Sequence, residues 1–338
     1  MPSKLSQNSQ PYLYEINTWP WFEAISRTEG RAIDLGTVPD RYWDEIADLG
    51  FDGVWLMGVW QRSPAGIGIA LTNDDLRVSF DAALPDWQPY DVVGSPYCVR
   101  GYVVDDHFGG RSALASARQA LAARGMGLIL DFVPNHVAPD HPWTSSKPEL
   151  FVAGTPDELR TDPKSFVEID GHVLANGRDP YFPAWPDVVQ LNAFAPALRA
   201  VVIETLSEIA EQCDGVRCDM AMLVMSDVFA RTWGDRVGSA PESDYWPTVI
   251  PPSARRIRDS CSSPRPIGIW NGRCSSRAST TATTSDCTTG FCRVLPSTCA
   301  FICWLIMSIS TASYGSWRTM TSRGLCRHSV RLARKSLP

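Results

Sequence analysis

The chain has 338 residues, of which 44% are hydrophobic, so it can bury a sizeable core in one large domain or two ordinary ones. Its net charge of −6 argues against a nucleic-acid partner, and its longest apolar run, residues 301–307, is far too short to span a bilayer. The polar first ten residues lack the apolar region of a secretory signal, which predicts a cytoplasmic protein.

Up to about residue 260, short apolar runs alternate with amphipathic segments. The pattern predicts strands at residues 12–17, 53–57, 127–131 and 215–219, and helices at residues 41–49, 112–124 and 195–212. In the first of these helices, Tyr42, Ile46 and Leu49 share one face, which we expect to be buried. The alternation predicts a parallel α/β architecture. If the sheet closes into a barrel, its catalytic face lies at the carboxyl ends of the strands, where two of the predicted strands end in Asp.

Between residues 137 and 185 the alternation lapses, and the sequence becomes rich in Pro, Asp and aromatic residues. We interpret this stretch as a long excursion after the third strand and not as a separate domain. The expected organisation is therefore a single catalytic domain over residues 1–256, followed by a tail over residues 257–338.

Four motifs carry the chemistry of the first segment. They are Asp131-Phe132-Val133-Pro134-Asn135-His136, Gly215-Val216-Arg217-Cys218-Asp219, Tyr90-Asp91 and Gln190-Leu191-Asn192. In this order and spacing they resemble conserved regions of the α-amylase family of glycoside hydrolases, over roughly residues 11–256. The resemblance implies a (β/α)8 barrel, of which about the first four βα units are present. It also implies retaining cleavage of α-linked glucans, which needs two carboxyl groups about 5 Å apart.

The resemblance assigns Asp219 as the nucleophile. Arg217 precedes it by two residues on the same strand, so both side chains point to the same face, and its fixed charge would keep Asp219 ionised and oriented. The alternative is a structural Arg–Asp ion pair at a strand end. Asp131 is expected to orient Arg217 or the loop that follows. The family often has a small residue and then Lys or His after the nucleophile, whereas Met220 and Ala221 follow here.

The same resemblance assigns substrate binding to further residues of these motifs. His136 would hydrogen-bond sugar hydroxyls, unless it is a loop histidine with a structural partner. Tyr90 would stack against a sugar ring, beside Asp91 of the same pair. Asn135 matches a calcium ligand of many α-amylases, but the further hard oxygen ligands are not evident in the sequence, so no metal or other cofactor is expected.

The tail has a different composition. Residues 261–338 contain one acidic residue, Asp286, against ten Lys and Arg, and they hold seven of the 10 cysteines. A disordered basic extension and a zinc or nucleic-acid module are two interpretations. The second is weak because the tail has no Cys-x-x-Cys pair and a single histidine, His328.

A third interpretation of the tail is a shifted reading frame. In this interpretation, each new codon is formed from the third base of one codon and the first two bases of the next. Read in that way, the codons of residues 270–290 can encode an ordinary, acid-containing sequence. The same offset permits an Ala-Glu-Ala run from residues 262–270 and an Asn-His-Asp run from residues 314–325. These runs resemble the family regions that carry the acid/base Glu and a transition-state-stabilising Asp. We therefore place a frame change near Arg255 to Asp259.

The expected function is that of an α-glucan-active hydrolase, and the chain as written is expected to be inactive because the acid/base Glu and the third carboxylate are missing. The alternatives are a transglycosylase or α-glucosidase acting on sucrose- or trehalose-like substrates, a carbohydrate-binding remnant, and a chain without function. The expected partner is an α-linked glucan, with no nucleic acid and no membrane. Substrate length, linkage and oligomeric state remain open.

Overall fold

The structure, a computed structural model, describes residues 11–260, 268–271, 291–294 and 301–304, and the side chains of residues 11–253. The strands are β1 Leu13–Asn17, β2 Gly53–Met57, β3 Trp60–Arg62, β4 Val99–Val104, β5 Gly127–Phe132, β6 His136–Val137, β7 Phe166–Ile169, β8 His172–Gly177, β9 Trp185–Gln190, β10 Gly215–Cys218, β11 Gly268–Asn271, β12 Phe291–Val294 and β13 Phe301–Trp304. The helices are α1 Thr18–Glu29, α2 Asp40–Asp48, α3 Pro64–Thr72, α4 Asp74–Ala83, α5 Gly110–Ala123, α6 Pro142–Ser146, α7 Pro156–Thr161, α8 Pro196–Gln212, α9 Ser226–Trp233 and α10 Tyr245–Ser260.

The central element is a parallel sheet with the strand order β1-β2-β5-β10-β11. Helices connect each of these strands to the next along the chain, as right-handed parallel crossovers require. All four predicted strands and all three predicted helices are present, and their ends agree with the prediction to within two residues. The fold class is confirmed as an incomplete (β/α)8 barrel, whose strands open at their carboxyl ends towards one face.

The two faces of the sheet have different neighbours. One face belongs to the large core beneath the helices, with the side chains of Ile16, Val54, Leu56, Leu128, Leu130 and Val216. On the opposite face, Trp55 and Ile129 form a separate cluster, against which Leu13 and Met57 pack. This second face is the barrel interior. Because side chains alternate along a strand, Asp131, two residues after Ile129, points into the interior. Arg217, two residues after Gly215, does the same.

The first predicted helix buries a different set of side chains from the one expected. In α2, Trp43 and Ile46 are buried, and Tyr42 is half-buried against the core. The prediction for Leu49 is wrong, because the helix ends at Asp48 and Leu49 is 67% exposed. The larger indole of Trp43 takes the position on the core-facing side, which the spacing of the smaller residues did not reveal.

The stretch after β5 has secondary structure of its own. An antiparallel sheet with the order β6-β9-β8-β7 spans residues 136–190. Its first pair joins His136 to Gln190, so the excursion leaves and re-enters the barrel side by side. One of its short helices, α7, begins with a capping box in which Thr155 and Glu158 satisfy each other's backbone N–H groups.

The tail contributes more backbone structure than the sequence predicts. The backbone of β11 pairs in parallel with β10, with Gly215 opposite Gly268, so the described sheet has five parallel strands and not four. The backbones of β12 and β13 form an antiparallel pair. The other tail positions on which the frame-change hypothesis rests, including Asp286, His328 and residues 314–325, lie outside the described residues.

Candidate active site

Arg217 links the two aspartates that the motifs single out. Its Nη1 lies 2.8 Å from Asp131 Oδ1, and its Nη2 lies 2.9 Å from Asp219 Oδ1. The pairing of β5 with β10 explains the arrangement, because Asp131 stands directly opposite Arg217 in the register. Asp219 follows one residue after β10, and its backbone N–H donates to Phe132 O at 2.8 Å. A single guanidinium thus fixes both carboxylates at the carboxyl end of neighbouring strands.

Two aromatic residues enclose the Arg217 guanidinium. Its Cζ lies 4.4 Å from the ring centroid of Trp55 and 5.5 Å from that of Tyr97. Trp55 Nε1 also donates to Asp131 Oδ2 at 2.9 Å, and Arg217 Nη1 donates to the Tyr97 hydroxyl at 3.2 Å. Both oxygens of Asp131 are therefore occupied, which suits the orienting role predicted for this residue.

Asp219 is bound on one side only. Its Oδ1 accepts from Arg217, whereas its Oδ2 accepts no hydrogen bond from the residues whose side chains are described. With 7% of its surface exposed, Asp219 is shielded from bulk water. The carboxylate therefore has one oxygen held by a cation and a second oxygen without a hydrogen bond from those residues.

Burial and the shared cation set the protonation of the cluster. Burial raises the pKa of Asp131 to about 6, with Arg217 and the Trp55 hydrogen bond acting in the opposite direction. Burial also raises the pKa of Asp219, and Arg217 again opposes it. Burial lowers the pKa of Arg217, but the charges of the two aspartates outweigh that effect and keep it above its ordinary value. Glu15, on β1, has a pKa raised by burial and lowered by Arg217.

The turn after Asp219 has an unusual backbone conformation. Met220 has a φ of 48°, in the left-handed region that side chains other than Gly avoid. A 3₁₀ turn, Ala221–Val224, follows at once, and Trp246 Nε1 from α10 donates to Ala221 O at 2.9 Å. Strain of this kind persists only where the surroundings enforce it, and here it fixes the position of Asp219.

His136 lies at the entrance to the excursion, with 5% of its surface exposed. Burial lowers the pKa of His136 to about 4, and a hydrogen bond with the backbone of Tyr97 raises it slightly. The imidazole is therefore neutral near pH 7. Its ring lies 5.4 Å from that of Trp185, at a steep angle.

Asn135 is engaged by a neighbouring amide. Gln190 Nε2 donates to Asn135 Oδ1 at 2.9 Å, and Asn135 Nδ2 donates to Gln190 Oε1 at 3.3 Å. Calcium needs several carboxylate or carbonyl oxygens around it. In the part of the chain that the structure describes, no three His, Cys, Asp or Glu residues are grouped to hold a metal ion.

Tyr90 and Asp91 lie elsewhere. They form a 3₁₀ turn, Pro89–Asp91, in which Tyr90 is 80% exposed and Asp91 Oδ2 accepts from the Gln88 N–H at 2.7 Å. No contact among the described residues joins either of them to the aspartate cluster. The tyrosine that does reach Arg217 is Tyr97.

Sequence analysis missed Tyr97 and Trp55. The signal for Trp55 was present, because strand alternation places it on the opposite face from Val54 and Leu56, where Asp131 also points. Tyr97 lies in a loop before β4, and no spacing rule indicates where such a loop folds.

Barrel enzymes place their active sites at the carboxyl ends of the parallel strands, which is where Asp131, Arg217 and Asp219 lie. Residues 34–168 match the sequence model described as "Alpha amylase, catalytic domain". This match confirms the resemblance to the α-amylase family over those residues. It includes Asp131 and His136, whereas Arg217 and Asp219 lie beyond it. No curated protein matches the chain.

Among solved structures, the chain is similar to an α-amylase from Lactobacillus plantarum, with 19% identity, a TM-score of 0.48, and coverage of 79% of this chain and 46% of the other. An α-amylase from H. orenii has 19% identity, a TM-score of 0.45, and coverage of 80% and 49%. A debranching enzyme from Nostoc punctiforme has 15% identity, a TM-score of 0.45, and coverage of 82% and 50%. The chain thus spans about half the length of these proteins. No helix in the described residues is long and apolar enough to cross a membrane.

Proposed function

We propose that the chain derives from an α-glucan-active retaining glycoside hydrolase whose nucleophile is Asp219. The observation that carries the proposal is the contact of Arg217 with one oxygen of Asp219 at the carboxyl end of the barrel strands, which leaves the other oxygen without a hydrogen bond from the residues whose side chains are described. The charge of Arg217 favours the ionised form of the carboxylate that it orients, as a nucleophile needs.

In the first step of retaining hydrolysis, a bond forms between the nucleophile oxygen and the anomeric carbon of the sugar. The bond from that carbon to the leaving oxygen breaks, and a second carboxyl group protonates the leaving oxygen. Asp131 is a poor candidate for this second group, because Arg217 and Trp55 occupy both of its oxygens. The adjacent strand, β11, contains no acidic residue in its sequence Gly-Ile-Trp-Asn. Because the segment that would carry the family's acid/base Glu is altered by the proposed frame change, we expect the chain as written to bind glucan and not to hydrolyse it.

We attribute the missing acid to the frame change near Arg255 to Asp259. This hypothesis explains why the nucleophile motif is intact while the following segment holds one acidic residue. Sequencing the gene across codons 250–265 tests it. An inserted or deleted base relative to the Ala-Glu-Ala frame is expected, and a continuous frame through independent clones would contradict it.

The leaving group provides the test of the catalytic proposal. Fluoride leaves without protonation, so α-glucosyl fluoride should react with Asp219 even without the acid. The second step needs the same missing carboxyl group as a base, so the glycosyl-enzyme should accumulate. We expect a burst of fluoride that is stoichiometric with the chain, and no release of sugar from maltotetraose.

The matched control is Asp219→Asn, which keeps the size of the side chain and removes the nucleophile. It should abolish the fluoride burst. Turnover of maltotetraose at ordinary enzyme rates would contradict the loss of the acid, and a burst from the Asn variant would contradict the role of Asp219.

A further inference from the structure

The loop of residues 178–184, which joins β8 to β9, begins and ends beside His136. At one end, a Cβ built on Gly177 would lie 3.3 Å from His136 Cβ. At the other end, the Trp185 ring lies 5.4 Å from the His136 ring. The loop therefore projects from the place where the proposed sugar-binding histidine lies.

This loop presents two adjacent aromatic rings to solvent. Tyr181 is 77% exposed and Phe182 is 56% exposed. Neither ring packs against another aromatic ring in the described part of the chain. Phe182 is three residues from Trp185, so it lies at most about 11 Å of chain away from the residue that touches His136.

The backbone that carries the two rings is fixed. Asp179, with 6% of its surface exposed, accepts hydrogen bonds on Oδ1 from the N–H groups of Tyr181 at 2.6 Å and Phe182 at 2.9 Å. A buried carboxylate that holds two consecutive amides leaves the turn little freedom. The backbone of the turn is thus preorganised, which lowers the entropic cost of ordering it around a ligand.

The start of the loop is anchored to both sides of the candidate site. The Arg178 N–H donates to Gln190 Oε1 at 3.2 Å, and Gln190 is the amide partner of Asn135. The Arg178 guanidinium lies 5.9 Å from the ring centroid of Trp233, on the helix that follows Asp219. The first residue of the loop therefore contacts the amide partner of Asn135 and lies beside the last residue of α9.

We propose that Tyr181 and Phe182 form a binding platform for the part of an α-glucan chain that extends beyond the reacting sugar. A pyranose ring presents an apolar face of C–H groups, which suits the negative face of an aromatic ring, and a polar rim of hydroxyls that stays in water. Two neighbouring rings fit a repeating chain of such units better than they fit a single sugar. The proposal rests on the proposed function, and it makes these two residues determinants of preference for chain length.

The test compares ligands of two lengths by isothermal titration calorimetry of the full chain. The parent chain should bind maltoheptaose more tightly than maltotriose. The double variant Tyr181→Ala/Phe182→Ala should weaken maltoheptaose binding by about tenfold for each ring removed. It should leave maltotriose binding unchanged. The swapped variant Tyr181→Phe/Phe182→Tyr keeps both rings and should keep the affinity.

Tyr12 supplies the matched control. It is 70% exposed and lies just before β1, at the end of the sheet opposite the site. Equal loss of affinity in Tyr12→Ala, or unchanged maltoheptaose binding in the double variant, would overturn the platform and leave the proposed function intact. Failure of the parent chain to bind either sugar would instead contradict the glucan site itself, and the platform with it.

Discussion

Replacing Arg217 by Met should destabilise the chain strongly at neutral pH. The substitution leaves Asp131 and Asp219 buried without the cation that lies 2.8 Å and 2.9 Å from their oxygens. Removing one partner of a buried ion pair costs about 3–5 kcal/mol, which is a large share of the roughly 5–15 kcal/mol that stabilises a typical domain. We expect a loss of that size in the free energy of unfolding, measured by urea titration with tryptophan fluorescence at pH 7.5.

The same variant has a pH signature with a definite sign. Burial already raises the pKa of Asp131 to about 6, and loss of Arg217 removes the charge that opposes this rise. A carboxyl group whose pKa is higher in the folded state than in the unfolded state contributes stability below its unfolded pKa of about 3.9. That stability is lost as the pH rises through the folded pKa. The cost of the substitution should therefore be greatest above pH 7 and should shrink towards pH 4.

Arg118→Met is the control for this prediction. Arg118 pairs with Asp214 at 2.7 Å and is similarly buried, with 15% of its side chain exposed against 20% for Arg217. It lies on helix α5, away from the aspartate cluster. The control should lose stability and keep the reaction of Asp219 with α-glucosyl fluoride. A cost for Arg217→Met below about 1 kcal/mol, or an equal cost at pH 4 and pH 7.5, would refute the electrostatic reasoning.

Three further perturbations follow from the site. Trp55→Phe keeps a ring over Arg217 but removes the Nε1–H that donates to Asp131, so it should cost about 1–3 kcal/mol in urea titration; no loss would show that the bond is unimportant. His136→Gln should make the free energy of unfolding less sensitive to acid. Because the pKa of His136 is lowered to about 4 in the folded state, protonating it should cost the parent chain about 3 kcal/mol of stability as the pH falls from 6.5 to 4. An unaltered pH profile of unfolding in the variant would contradict this. Met220→Gly should raise the thermal midpoint, because Gly adopts the left-handed conformation at no steric cost and relieves about 1 kcal/mol; a lower midpoint would show that the side chain contributes more than the strain costs.

Short continuous apolar runs predicted the strands of the barrel, because burial on both faces selects apolar residues at successive positions. The run at residues 127–131 is continuously apolar up to Asp131, as a buried parallel strand requires, and β5 occupies Gly127–Phe132. The prediction was weaker where packing depends on the size of a single side chain. Leu49 has the right spacing for the core face of α2, yet the helix ends one residue before it, and the buried residues of the helix are Trp43 and Ile46.

The candidate site was predictable where residues sit on strands. Asp131 and Arg217 come together because the register of β5 and β10 aligns them, and the motifs already placed both at strand ends. Tyr97 was not predictable, since its contact with Arg217 depends on how a long loop returns over the barrel. The stacking role assigned to Tyr90 remains a prediction; Tyr90 is 80% exposed, and no contact among the described residues joins it to the aspartate cluster.

The antiparallel sheet after β5 is a further part of the fold that the sequence did not predict. The sequence from residue 137 to 185 lacks a continuous alternation, because its strands are short and one register contains a bulge between Asn176 and Gly177. Pairing of residues distant in sequence, such as His136 with Gln190, decides this sheet. Such pairings are set by tertiary packing and leave little trace in a local pattern.

The most direct measurement is the mass of the peptide that contains Asp219 after incubation of the chain with α-glucosyl fluoride. Peptide mapping should find a single added glucosyl group, lost in Asp219→Asn and retained in Arg118→Met. An unmodified Asp219 peptide, or a glucosyl group on another carboxylate, would contradict the claim that Arg217 holds Asp219 as the nucleophile of a sugar-cleaving site.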